Sequence, residues 1–282
     1  MFYQLSIVEH DDIDNNSESQ SLIPKLSSGF NSYYIDKLKH IKEALEDMKD
    51  KEKDSKFYKI VSPGSVNKSS LLYKEYGLGT KQINYILYEI FKTFKITGTI
   101  STNDKQTEKA LNDISKLINI KLNNSNFNIY LNNKKINFYK NFYSQETDYL
   151  PILKEEINNI DKLKSGGIFI TRIYNIFLQN TENIIINLIN KFDKVYIFKP
   201  LTVDNYKVDK YLICIDKKTK PNTLNGSIAN LNQINSELII NQTRAINEVI
   251  NYINGKNYRG AEYDKYAERQ LSEQKKIIKD LK

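Results

Sequence analysis

Residues 145–215 read QETDYLPILKEEINNIDKLKSGGIFITRIYNIFLQNTENIIINLINKFDKVYIFKPLTVDNYKVDKYLICI. Glu146 to Leu163 carries Leu150, Leu153, Ile157 and Ile160 at helical spacing. Ser165-Gly166-Gly167 reads as a tight turn, and Ile168 to Tyr174, rich in β-branched and aromatic residues, as a strand. Thr181 to Phe192 follows as a helix, Lys194 to Phe198 as a strand and Lys207 to Ile215 as a last strand. Strands alternating with long helices predict an α/β chain with a mostly parallel, Rossmann-like sheet and helices on both faces. The connection from Phe198 to Lys207 is too short for a crossover helix, so the last two strands are expected to be antiparallel.

Upstream, Phe2 to Val8 is a short strand or arm, and Glu9 to Ser21 a polar loop. Tyr33 to Met48 is helical through Tyr34, Ile35, Leu38, Ile41 and Leu45, and Lys49 to Lys56 is its charged end. Phe57 to Val61 is strand-like, broken by Ser62-Pro63-Gly64. Lys81 to Phe94 reads as a helix, Ile96 to Ser101 as a strand, Thr107 to Ile120 as a helix and Phe127 to Leu131 as a strand, with a turn at Asn123 and Asn124. Downstream, two C-terminal helices are expected at Ala229 to Asn254 and Tyr263 to Leu281. The periodicities run through the whole chain. It reads as one domain over 1–282, with an arm and helix at 1–56, a core at 57–216 and the C-terminal helices at 217–282.

Composition narrows the class. The chain has 282 residues and a formal net charge of +8. No apolar stretch approaches the roughly 18 residues of a membrane span, so no membrane is expected. A single cysteine, Cys214, excludes an internal disulfide. Together with a start that lacks a signal-peptide pattern, this gives a cytoplasmic expectation. The charge is nearly all lysine; the arginines are Arg172, Arg244, Arg259 and Arg269. Lys, Asn, Ile and Tyr are what an AT-rich coding sequence favours, and a phosphate-binding surface more often recruits arginine. His10 and His40 have no partner at metal-ligand spacing, so no metal site is expected.

Gln145 and Glu146 open a helix; Gly166-Gly167 precedes a strand; Phe192, Val195, Lys199-Pro200, Tyr211 and Cys214 follow in order. This succession resembles the second half of the FtsJ-like RNA ribose 2′-O-methyltransferases, and the resemblance implies a methyltransferase-like sheet. Those enzymes move a methyl group from S-adenosylmethionine to a ribose hydroxyl through a Lys-Asp-Lys-Glu tetrad. The positions that match it here are Ile86, Asn132 (or Asn133), Arg172 and Asp209. Arginine stays protonated and cannot serve as a neutral base; aspartate keeps the charge of glutamate with a shorter reach. The cofactor loop is also altered. After Ile96 to Ser101 come Thr102, Asn103 and Asp104, not the glycines that let backbone approach a cofactor.

A preserved scaffold without tetrad or cofactor loop resembles, more narrowly, the small subunits of poxvirus-type mRNA capping enzymes. Pro24-Lys25-Leu26 and Gly29-Phe30-Asn31-Ser32-Tyr33-Tyr34 before the first helix, and Tyr88-Glu89-Ile90, extend that likeness. The resemblance implies a non-catalytic subunit without cofactor, in the cytoplasm or packaged in a virion. Its partner would be the large subunit, whose cap guanine-N7-methyltransferase it stimulates. Asn31, Tyr33 and Tyr34 are candidate interface residues, or else the packing edge of the first helix. Lys105, Lys109 and Lys116, with Lys121, are candidate RNA contacts, or a solvated helix face. Two alternatives stay open: a divergent, active cap 2′-O-methyltransferase, and an RNA-binding module. Arg172 is expected near the carboxyl end of its strand, in an ion pair with Asp209 or facing a ligand.

Overall fold

The Gly166-Gly167 turn delivers the chain into the middle of the sheet. Gly166 has φ +75, and a Cβ on Gly167 would stand 2.8 Å from the Lys164 carbonyl oxygen, so both positions require glycine. The structure is a computed structural model that describes residues 1–9, 25–49, 66, 70–136, 144–255 and 261–282. The expected strand at Phe57 to Val61, the Ser62-Pro63-Gly64 break, His10 and most of the polar loop at Glu9 to Ser21 lie outside the described residues.

In chain order, strands β1 (Phe2–Gln4) and β2 (Ile7–Glu9) precede helices α1 (Ser32–Lys49), α2 (Leu71–Tyr76) and α3 (Gln82–Thr93). Then come β3 (Gly98–Ser101), α4 (Lys105–Ile114), β4 (Ile120–Leu122) and β5 (Ile129–Asn132). The stretch that decides the fold supplies α5 (Ser144–Asn158), β6 (Ile168–Ile173), α6 (Gln179–Lys191), β7 (Phe192–Phe198) and β8 (Lys210–Lys217). Strand β9 (Gly226–Ile228) and the long helices α7 (Leu231–Gly255) and α8 (Ala261–Leu281) close the chain.

Seven strands form one sheet in the order β1-β7-β8-β6-β5-β3-β4. Strands β3 to β7 run one way; β8 and β1 oppose them. The sheet is therefore a mostly parallel, Rossmann-like one in which β8 runs antiparallel between β6 and β7, and β1 antiparallel along the β7 edge. From β3 the chain crosses to β4 on one side and returns to β5 on the other. That reversal is a topological switch point, and α/β sheets bind ligands outside the carboxyl ends of the strands there.

Alternation along the central strands builds two cores. Tyr130, Phe169, Leu212 and Cys214 pack on one face with Leu153 and Ile185 of α5 and α6. Leu131, Ile170, Tyr211 and Ile213 pack on the other with Leu87 of α3, Leu111 of α4 and Ile277 of α8. Both sets are fully or nearly fully buried, and each large apolar side chain contributes roughly 2 kcal/mol. Alternation of this kind fixes the register, since a one-residue slip would exchange the faces. A third cluster joins Ile35 and Leu38 of α1 to Ile239 and Ile246 of α7.

Some expectations need correction. The Thr107 to Ile120 helix stops at Ile114; Lys116 and Leu117 lie in a turn, and Ile120 enters β4. Parallel pairing of Gly98 with Ile120 takes those residues out of the helix. The Phe2 to Val8 segment is two strands, not one. β1 pairs with β7, Leu5 N–H donates to the Val195 carbonyl, and β2 turns away to pair with β9.

Candidate functional site

At the carboxyl edge of the sheet lies a cleft of about 560 Å³. Its walls come from the starts of α3 and α4, the ends of β5 and β6, and the β7–β8 loop. Three of the four positions matched to the tetrad, Ile86, Arg172 and Asp209, line it together; Asn132 ends β5 directly before the lining residue Asn133.

Arg172 shares the parity of Ile170 in β6 and so lies on the α3/α4 side of the sheet; only 4% of it is exposed. Its Nη1 stands 3.5 Å from Asp209 Oδ1, and its Nη2 donates to the Tyr211 hydroxyl at 3.1 Å. The guanidinium also lies 5.8 Å from the centroid of the Tyr211 ring. Tyr211 passes the chain on, donating to Asn133 Oδ1 at 2.8 Å. Asn133 Nδ2 donates to Thr107 Oγ1 at 3.1 Å, and the Thr107 hydroxyl donates to the Asp104 carboxylate. That carboxylate caps α4 by accepting the N–H groups of Gln106 and Thr107. A continuous polar chain thus crosses the floor of the cleft from β8 to the start of α4.

Asn132 faces the other core. Its Nδ2 donates to the Tyr149 hydroxyl at 3.0 Å and to Thr171 Oγ1 at 2.9 Å. Ile86 is buried and offers the cleft an aliphatic side chain. Burial by itself would raise the Asp209 carboxyl, but Arg172, then Lys199 and Lys207, hold it below the usual carboxylate range. Burial opposes the charge on Arg172 too; Tyr211 and Asp209 keep it protonated. A fixed cation and a fully ionised carboxylate are poor partners for accepting a hydroxyl proton, which calls for a group poised near neutrality.

S-adenosylmethionine, the cofactor used by the enzymes that the sequence resembles, does not fit the segment after β3. Thr102, Asn103 and Asp104 carry side chains where backbone must approach a ligand. Asn103 donates to the Tyr130 hydroxyl at 2.7 Å, and Asp104 occupies the N-terminal amides of α4.

The motif residues around the cleft hold backbone. Glu146 accepts the N–H groups of Phe177 and Leu178, at 3.1 and 3.0 Å, which fixes the β6–α6 connection; burial pushes its carboxyl up to about 7. Lys199 donates to the carbonyls of Lys207, Asp209 and Asp204 at 2.6, 3.0 and 3.4 Å, and burial lowers its ammonium to about 8. Glu89 clamps the same loop from α3, accepting from Leu201 N at 2.6 Å and Thr202 N at 2.9 Å.

The other candidates lie away from the cleft. Lys105 and Lys109 are exposed on α4, Lys116 in the turn beyond it and Lys121 on β4; none lines the cleft. Tyr33 is 67% exposed and Tyr34 half-buried, with their rings 5.2 Å apart at the start of α1; neither they nor Asn31 line the cleft. The cleft lysines are instead Lys81, Lys134, Lys135 and Lys207. Lys134 pairs with Glu156 at 2.5 Å and Lys207 with Asp204 at 2.5 Å, while Lys81 and Lys135 have no paired carboxylate among the described residues. Lys81, the Lys134-Lys135 pair and Lys207 come from three separate segments, so no sequence spacing could have found them together. His40 lies exposed beside Glu43, and burial pushes the Cys214 thiol up, away from reactivity.

Among the described residues, no group of His, Cys, Asp and Glu could hold a metal ion, and no helix is long and apolar enough to cross a membrane. A scan against protein-family models finds no match, and a search of curated proteins finds none either.

Proposed function

We propose that the chain is a non-catalytic, stimulatory subunit of a heterodimeric mRNA capping enzyme, built on a methyltransferase-like scaffold. One observation carries this reading. The position of the catalytic lysine holds Arg172, locked between Asp209 and Tyr211 on the floor of an otherwise well-formed cleft. A cleft built that way keeps the scaffold rigid and gives no neutral base. The role left is allosteric: the subunit binds the partner's substrate-competent state better than its other states and shifts the population toward it. The partner is the large subunit with its cap guanine-N7-methyltransferase domain, as the resemblance to poxvirus-type small subunits implies.

The test is to co-express the chain with a guanine-N7-methyltransferase large subunit from the same genome. Stable co-purification and a gain in methyl transfer to the cap guanine are expected. If the two chains fail to associate at micromolar concentration, the proposal is wrong.

Lys81 and Lys135 favour one second reading, an RNA-binding groove. It expects RNA affinity that falls steeply with salt, and a salt slope shallower by about one unit for each of the two lysines neutralised. An unchanged slope would remove it.

A further inference from the structure

A second groove, of about 700 Å³, lies at the C-terminal turn of α3 and shares no lining residue with the cleft. Phe91, Ile96, Phe198 and Leu281 form its buried apolar floor. Phe2 and Leu117, 55% and 47% exposed, stand around it although they are far apart in sequence. A single exposed apolar side chain is ordinary; two converging on one apolar groove mark an interaction surface. The Phe2 ring is already held in place, edge-on to Phe94 at 5.8 Å and to Tyr196 at 6.0 Å. Little ordering entropy therefore remains to be lost when a partner packs on it.

Charge decides what fits. Lys92 and Lys95 are exposed at the groove and pair with no carboxylate among the described residues. Of the two acids there, Glu89 is spent on the backbone of Leu201 and Thr202, and Asp280 lies near the Met1 ammonium. Lys282 is paired with Glu75 at 2.9 Å. The unspent charge is positive.

We infer that this groove docks an acidic, amphipathic segment of the capping-enzyme large subunit, with an apolar anchor seated between Phe2 and Leu117. The inference rests on the function proposed above. Carboxylates flanking the anchor would meet Lys92 and Lys95, which steers association and makes it salt-sensitive.

The full chain is titrated with the purified large subunit, using wild type, Leu117→Asp and the pair Lys92→Glu/Lys95→Glu. Each variant is expected to weaken binding by roughly ten-fold or more with an unchanged melting midpoint. Leu271→Asp, at a comparably exposed leucine on α8, is expected to leave affinity unchanged. Wild-type affinity in both groove variants would overturn the groove and leave the proposed function standing. Self-association of the wild type, abolished by Leu117→Asp, would assign the groove to a second copy of the chain and overturn the inference. Failure of the wild type to bind would overturn the function, and the inference with it.

Discussion

Arg172 on β6 and Asp209 in the loop just before β8 hold each other in place, with 5% and 16% of their side chains exposed. Removing the cation strands the carboxylate, and breaking a buried pair costs about 3–5 kcal/mol. Arg172→Met should therefore lower stability by that order in urea unfolding, and Arg172→Met/Asp209→Asn should recover part of the loss. If the single variant unfolds at the wild-type midpoint, the pair contributes nothing. A second buried cation sets a pH dependence. Lys210 donates to the Val208 carbonyl at 2.9 Å, and burial lowers its ammonium to about 7. The unfolded chain keeps this lysine protonated to about 10.4. Above pH 7 the unfolded state thus binds more protons than the native one, and stability rises with pH. Wild type should gain at least about 1 kcal/mol between pH 7 and 9, most of which Lys210→Met should abolish. A gain of the same size in the variant would assign it elsewhere, with Lys199 the next group to test.

At the scale of elements, the loop joining β7 to β8 is the piece the site depends on, since it carries Val203, Lys207 and Asp209 into the cleft. It has no regular structure beyond turns, and its shape comes from side chains reaching in. Lys199 gathers three of its carbonyls, Glu89 takes two of its N–H groups, and Gln82 donates to Thr202 O at 2.7 Å. Lys199→Met keeps the length of the stem but removes every donor. The expected outcome is faster proteolytic cleavage within residues 200–209 at nearly unchanged global stability, because the loop opens locally. Equal cleavage rates would show that Glu89 and Gln82 suffice. Position was legible here and purpose was not. Glu146 and Lys199 stand out in the sequence as motif residues, but the backbone groups they hold, at Phe177 and at Lys207 to Asp209, become visible only in three dimensions. The elements divide the same way. The run from Ile168 to Ile173 announced β6 through β-branched and aromatic residues buried on both faces. Strands of three residues, β4 and β9 among them, exist only because a distant partner pairs with them, and a local period of that length carries no signal. The cleft lysines were hidden for a related reason, since Lys81, Lys134 and Lys207 come from segments that only the topology brings together.

For the whole molecule, the sheet order concentrates stability at the centre of the scaffold and leaves its edges to pairing alone. β6 is hydrogen-bonded on both sides, to β5 and β8, and β8 is hydrogen-bonded to β6 and β7. Their side chains serve both cores at once, with Phe169, Ile170, Leu212 and Ile213 fully buried. β4 and β1 are three-residue edges, and β2 with β9 forms a separate two-stranded ribbon. Two-stranded ribbons and sheet edges open first, because little buried apolar surface meets water when they do. The surface charge of +8 does not alter this ranking, since charged side chains at exposed positions add little to stability. Native-state hydrogen exchange should therefore find the slowest amides at Phe169 to Arg172 and Tyr211 to Cys214, exchanging only through global unfolding. Amides of β4 and β9 should exchange through local openings at least about 2 kcal/mol lower. Binding of a partner at the groove beside β1 and Leu117 should raise protection at β1 and around Leu117, while the β6 and β8 amides, already at the global limit, gain only what binding adds to overall stability. Protection of β4 and β9 equal to that of β6 in the free chain would mean that the molecule opens as a single unit, and the proposed division between a rigid centre and yielding edges would be wrong.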